Sequence, residues 1–110
     1  MLTPGRQYVN TKVRVAINFQ DENRTDTDPS TVTFKLFSPV GATTSYVYGT
    51  DAALIKAKTG DYYIDVTPDQ SGRWYYRWES TGTNSTIAIE GSFVVQRSPF
   101  YEDTEDAYRS

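Results

Sequence analysis

Cysteine and histidine are both missing from the 110 residues of this chain. Without cysteine no disulfide staples the fold, and no thiolate serves as nucleophile or metal ligand. Without histidine the chain lacks the commonest general base, the commonest metal ligand and the side chain that changes charge near neutral pH. Serine and threonine are plentiful, but no imidazole is present to activate them, so a nucleophilic triad is excluded. No apolar run approaches the roughly 20 residues that cross a bilayer, and Met1-Leu2-Thr3-Pro4-Gly5 does not read as a signal peptide. A soluble chain with no membrane partner is the expectation. The seven glycines stand singly, not in a loop that would cradle phosphate.

Charge of one sign is scarce over most of the length. Residues 1–97 hold ten basic and ten acidic side chains, so the net charge of −3 lies wholly in residues 98–110. There Glu102, Asp103, Glu105 and Asp106 are opposed by Arg109 alone. A neutral body with an acidic tail does not suit nucleic acid, whose phosphates require a basic stripe.

What the chain does contain is period-two alternation. In Thr59–Glu79, Tyr62, Ile64 and Val66 point one way along one strand and Trp74, Tyr76 and Trp78 along the next, with Pro68-Asp69-Gln70-Ser71-Gly72 turning between them. That pattern predicts two half-buried antiparallel strands. Five further strands are expected. One spans Tyr8–Gln20 with Val13, Val15, Ile17 and Phe19 on one face, and the next spans Thr31–Ser38 burying Val32, Phe34 and Leu36. Thr44–Tyr48 and Ala53–Lys58 follow, and Thr86–Gln96 closes the set. The last places Ile87, Ile89, Phe93 and Val95 together, with Gly91 in the same register marking a bulge or a close approach. Asp51 is able to cap a short helix through Leu54 and Lys56, but Gly49 and Gly60 leave room for barely two turns, so a strand is preferred.

Short strands separated by turn residues indicate an all-β, immunoglobulin-like, two-sheet antiparallel sandwich of about seven strands. The sandwich should occupy residues 1–97, with residues 98–110 as an acidic-aromatic tail. Immunoglobulin-type domains precede their sixth strand with Asp-x-Gly/Ala-x-Tyr-x-Cys. Here Asp69 is followed by Gly72-Arg73-Trp74-Tyr75-Tyr76, with Trp74 in the tyrosine position, Tyr76 in the cysteine position, and one extra residue before the glycine. Aromatic rings, each burying about 150–250 Å², must then replace the disulfide.

Candidate sites are few. The loop Asp21, Glu22, Asn23, Asp26, Asp28 offers oxygen ligands of the kind Ca²⁺ takes, but no glycine lets the backbone wrap an ion. A solvated loop is the simpler reading, and no metal or other cofactor is expected. Asp65 and Glu79, on the outward faces of adjacent strands, are the carboxylates best placed to approach each other. Ion pairing with Arg77, Arg73 or Lys35 accounts for them without catalysis. The aromatic surplus is harder to absorb. Tyr62, Trp74, Tyr76, Trp78, Phe19, Phe34 and Phe93 fit inside, which leaves Phe37, Tyr46, Tyr48, Tyr63 and Tyr75 on the other register or an edge strand. Tyrosine is enriched at protein interfaces, so Tyr46, Tyr48, Tyr63 and Tyr75 are candidate partner-binding residues. In the tail, Phe100, Tyr101 and Tyr108 are interleaved with the charges and suit docking on a partner.

Several segments together carry a family resemblance. They are Pro4-Gly5 through Val13-Arg14-Val15, Asp28-Pro29-Ser30-Thr31-Val32-Thr33-Phe34 and Ser38-Pro39-Val40-Gly41. Further along come Tyr46-Val47-Tyr48-Gly49-Thr50-Asp51, Thr59-Gly60-Asp61-Tyr62, Gly72-Arg73-Trp74-Tyr75-Tyr76-Arg77-Trp78-Glu79 through Thr81-Gly82, and Glu90-Gly91-Ser92-Phe93-Val94-Val95. With these the chain resembles small immunoglobulin-like proteins encoded in the structural gene clusters of tailed bacteriophages. The resemblance implies a non-enzymatic virion component, made in the host cytoplasm, whose partners are the major capsid protein or other virion proteins. A capsid decoration or cement role on the head surface is the leading expectation. A head–tail connector or tail accessory, or a carbohydrate-binding adhesin module, is the alternative. Homo-oligomerisation is left open.

Overall fold

The computed structural model of the chain describes residues 6–82 and 87–97. These residues form eight strands and no helix: β1 (Arg6–Tyr8), β2 (Val13–Asn18), β3 (Thr31–Phe37), β4 (Thr43–Val47), β5 (Leu54–Lys58), β6 (Asp61–Val66), β7 (Gly72–Thr81) and β8 (Ile87–Gln96). One sheet has the order β1-β8-β7-β3-β4 and the other β2-β6-β5. This is the immunoglobulin-like sandwich. β3, β7 and β8 take the C, F and G places, β4 is the added C′ strand, and β2, β6 and β5 are B, E and D. The tail residues Phe100, Tyr101 and Tyr108 lie outside the described residues, as does the expected tail domain, residues 98–110.

The eighth strand arises because the expected strand Tyr8–Gln20 divides. Asn10 adopts φ 65°, a left-handed conformation that asparagine tolerates better than most residues. The kink is held from both sides, by Val9 N–H donating to Gln96 O (3.0 Å) and Asn10 N–H donating to Pro68 O (2.7 Å). β1 therefore runs parallel to β8 in the larger sheet, whereas β2 crosses to pair with β6 in the smaller.

A second correction concerns Thr59–Glu79. Its two strands form as expected, but β6 and β7 belong to opposite sheets and do not pair. Their alternation is matched because both look onto one core from opposite sides. The intervening residues cross between sheets, with Pro68 buried and Trp74 Nε1 donating back to Gln70 O at 3.0 Å. That bond does for tryptophan what the tyrosine corner's hydroxyl does in immunoglobulin domains, so the substitution at Trp74 keeps the corner's logic.

The inner faces supply the core. Val13, Val15, Leu54, Tyr62, Ile64 and Val66 come from the smaller sheet, and Val32, Phe34, Leu36, Trp74, Trp78, Phe93 and Val95 from the larger. Trp78 and Phe34 are 1% and 0% exposed, with ring centroids 4.7 Å apart. Each buried aliphatic here stabilises the fold by about 1.5–3 kcal/mol through area removed from water. Gly91 marks a close approach and not a bulge. The β7–β8 ladder runs without a register shift, Gly91 faces Tyr76, and a Cβ on Gly91 would collide with the Tyr76 Oη. Ile89, expected inside, shares the inner register opposite Trp78 yet remains 47% exposed. Residues 54–58 form a strand and not a helix. Asp51 instead closes the preceding turn, its Oδ2 accepting the Val47 N–H at 2.8 Å.

Candidate interaction surface

Strand alternation decides which side chains leave the core. On β7, Arg73, Tyr75, Arg77 and Glu79 point outward between Trp74, Tyr76 and Trp78. Register then lines them up with neighbours across the larger sheet. One row reads Thr43, Phe37, Tyr75, Ser92 and the next Ser45, Lys35, Arg77, Glu90. Phe37 and Tyr75 are 43% and 50% exposed, with rings 6.4 Å apart. Beside them lies a charged lattice. Glu79 Oε2 accepts from Arg77 Nε at 2.6 Å and from Lys35 Nζ at 3.2 Å, and Arg77 NH1 reaches Glu90 Oε2 at 2.7 Å. Hydrogen bonds from Arg77 and then Lys35 hold the Glu79 carboxyl below its ordinary range. A shallow depression of about 340 Å³ runs over this boundary, lined by Lys35, Phe37, Thr43, Tyr75, Arg77 and Glu90.

The outer face of the smaller sheet differs. Arg14 forks onto Asp65 through Nε (2.8 Å) and NH2 (3.0 Å), and its guanidinium lies 3.9 Å from the centroid of the Tyr63 ring. The Arg14 bond depresses the Asp65 pKa. Asp65 and Glu79 thus sit on opposite outer faces and do not approach each other, since their strands are not neighbours.

Of the tyrosines expected to bind a partner, Tyr75 and Tyr63 lie on opposite faces. Tyr46 is on the inner register of edge strand β4, half-buried with its ring 6.2 Å from Phe34. Tyr48, 43% exposed, stands edge-on to Tyr62 at 5.3 Å beyond the end of β4. The four therefore do not form one platform. Tyr75 pairs instead with Phe37, which the tyrosine count passed over. Among the described residues the exposed large hydrophobics are Tyr8, Phe37, Val40, Val47, Tyr48, Ile55, Tyr75 and Ile89. Phe37 and Tyr75 share one row of the outer face, Val47 lies two rows along beyond Lys35 and Arg77, Tyr48 follows Tyr46 on the inner register, and Val40 lies in the turn between β3 and β4. Phe37, Val40, Val47 and Tyr48 fall within residues 36–50, the longest stretch without a charged side chain.

The acidic loop is occupied by its own protein. Asp21 Oδ1 accepts the N–H groups of Asn23 (2.8 Å) and Thr25 (3.0 Å), a local turn. Asp26 accepts from Asn18 and Gln20, each at 3.2 Å. Asp28 fastens the loop to β5 and β6, accepting from Lys56 Nζ (2.6 Å), Gly60 N–H (2.8 Å) and Tyr62 Oη (3.2 Å). These donors, Lys56 first, lower the Asp28 pKa, while burial and the Asp28 charge push the Tyr62 hydroxyl up to about 12. The carboxylates are spent on separate donors, and no group of three His, Cys, Asp or Glu able to hold a metal occurs among the described residues. Asp28, held ionised in this way, accepts hydrogen bonds but does not donate a proton near neutral pH.

No protein-family model and no curated protein matches the chain. Among solved structures it is similar to the Lin-41 filamin domain, with a TM-score of 0.67, 13% identity and coverage of 89% of both chains. That likeness establishes the immunoglobulin-like fold.

Proposed function

We propose that this protein is a non-enzymatic structural component of a tailed-phage virion, acting as a decoration or cement module on the head surface. The exposed Phe37–Tyr75 pair on the outer face of the larger sheet carries the reading. An exposed aromatic pair bordered by charge is the kind of surface that protein partners bury. Here the rim is the Lys35–Glu79–Arg77–Glu90 lattice, which sets orientation while the rings bury area. Resemblance of the turn and core segments to phage structural proteins supplies the partner: the major capsid protein or another virion protein. A shell presents its site many times over, so modest affinity per copy suffices. The tail at Phe100, Tyr101 and Tyr108 would extend the contact across neighbouring shell subunits.

Quantitative mass spectrometry of purified particles tests this. A molar ratio to the major shell protein of about one, or about one-third, is expected from a lattice-covering protein. About six or twelve copies per particle would move the protein to the connector or tail. Absence from particles would overturn the virion reading.

A further inference from the structure

Four strand edges end the two sheets: β1 and β4 in the larger, β2 and β5 in the smaller. An open edge is a template for another strand, and proteins blunt it with short length, charge, proline or a bulge. β1 has three residues. β2 carries Arg14 with Lys12 just before it. β5 carries Lys56 and Lys58, and its register slips between them. β4 has none of these devices: Thr43-Thr44-Ser45-Tyr46-Val47 is uncharged, proline-free, regular in register and rich in strand-forming residues.

We infer that the β4 edge is a self-association site, at which a second copy of this chain adds its own β4 to make one continuous sheet. Hydrogen-bond parity sets the register. Ser38 N–H donates to Ala42 O and Tyr48 N–H to Val32 O, so the even-numbered residues of β4 face β3 and the odd-numbered ones face outward. Val47 is already spent, its N–H on Asp51 Oδ2 and its carbonyl on the N–H groups of Thr50 and Asp51. Thr43 and Ser45 remain to offer N–H and C=O. Antiparallel copies with Thr44 on the two-fold axis set Thr43 against the partner's Ser45 and Ser45 against the partner's Thr43. Every outward group of the strand is then paired. The same register carries Tyr46 opposite the partner's Ala42 and turns Val40, 74% exposed, toward the partner's Tyr48. A second copy is the fitting occupant because like does not repel like here, whereas β2 or β5 meeting itself would oppose lysine and arginine. The isologous arrangement also closes, leaving no further edge at that site.

The inference stands apart from any place on a particle and is tested with the protein alone. Sedimentation equilibrium on the full chain, from about 1 µM to 1 mM, should show a reversible monomer–dimer equilibrium. The double variant Thr43→Lys, Ser45→Lys opposes lysine to lysine across the axis twice and should weaken the dimer by about ten-fold or more. Ser45→Pro should weaken it as well while sparing the β3 ladder, since the lost N–H points outward. Far-UV circular dichroism and melting temperature of each variant verify the fold. A wild-type chain that stays monomeric throughout, or folded variants that dimerise as the wild type does, would overturn the inference.

Discussion

The two outer faces of this sandwich are built from the same alternating strands yet finished differently. On the smaller sheet each outward charge has a partner beside it: Arg14 with Asp65, Lys58 with Asp61, and Lys56 with Asp28 at its edge. Among the described residues its one outward-facing aromatic ring, Tyr63, lies under the Arg14 guanidinium. On the larger sheet the ion pairs draw together around Glu79, with Phe37 and Tyr75 left exposed on one side of them and Val47 on the other. Edges repeat the contrast, with lysine and arginine guarding β2 and β5 and no charge on β4. A face whose charges are settled locally is finished toward water. A face that leaves an aromatic pair exposed beside its charges is the one proposed above to meet a partner.

The largest effects should ignore the distinction, because both sheets share one core. Trp78→Ala, at 1% exposure, should cost about 3–5 kcal/mol of unfolding free energy in urea denaturation. Gly91→Ala should cost about 1–3 kcal/mol, since the new methyl meets the Tyr76 ring. Tyr76→Leu in the same chain should recover part of that loss, a coupling that a double-mutant cycle reads directly.

Acid acts on both faces together. Asp28, Asp65 and Glu79 have folded pKa values below their ordinary ones, so their stabilisation is present above the unfolded values, 3.8 for Asp and 4.5 for Glu. It is lost as pH falls through the folded values. Tyr62 is shifted the opposite way, so its contribution is present below 10 and fades as pH rises toward about 12. With no histidine in the chain, the melting temperature should be level from about pH 5.5 to 8, fall below about pH 4.5 and fall again above about pH 10. A transition near pH 6.5 would contradict this.

The distinction appears with surface substitutions. Phe37→Ser with Tyr75→Ser should change folding stability by only about 0.5 kcal/mol while removing the apolar row. Arg14→Ala, on the opposite face, should shift the melting temperature least of all and leave the larger sheet's surface untouched.

Much of this architecture was legible in the sequence. Inward residues such as Val32, Phe34, Leu36, Tyr62 and Ile64 follow from strict alternation, because a strand's side-chain period is two. Which strands pair was not legible at two points, and for one reason. Alternation reports which face is buried, not which sheet the strand joins. Thus β6 and β7 present matched patterns across the core, and Val9–Asn10 conceals a change of sheet that only the left-handed asparagine discloses. The surface was legible in part. Counting tyrosines singled out Tyr75 and Tyr48 but also Tyr63, whose ring is under Arg14, and Tyr46, half-buried against Phe34. The uncharged stretch 36–50 holds four of the exposed large hydrophobics, Phe37, Val40, Val47 and Tyr48, because exposed apolar residues show themselves by missing charge more than by residue type.

Binding of the purified chain to phage heads lacking it, measured by co-sedimentation, tests the central claim most directly. The account predicts saturable binding by the wild type and by Arg14→Ala, and binding weakened by about ten-fold or more in Phe37→Ser with Tyr75→Ser. Equal binding by all three, or loss confined to Arg14→Ala, would contradict it.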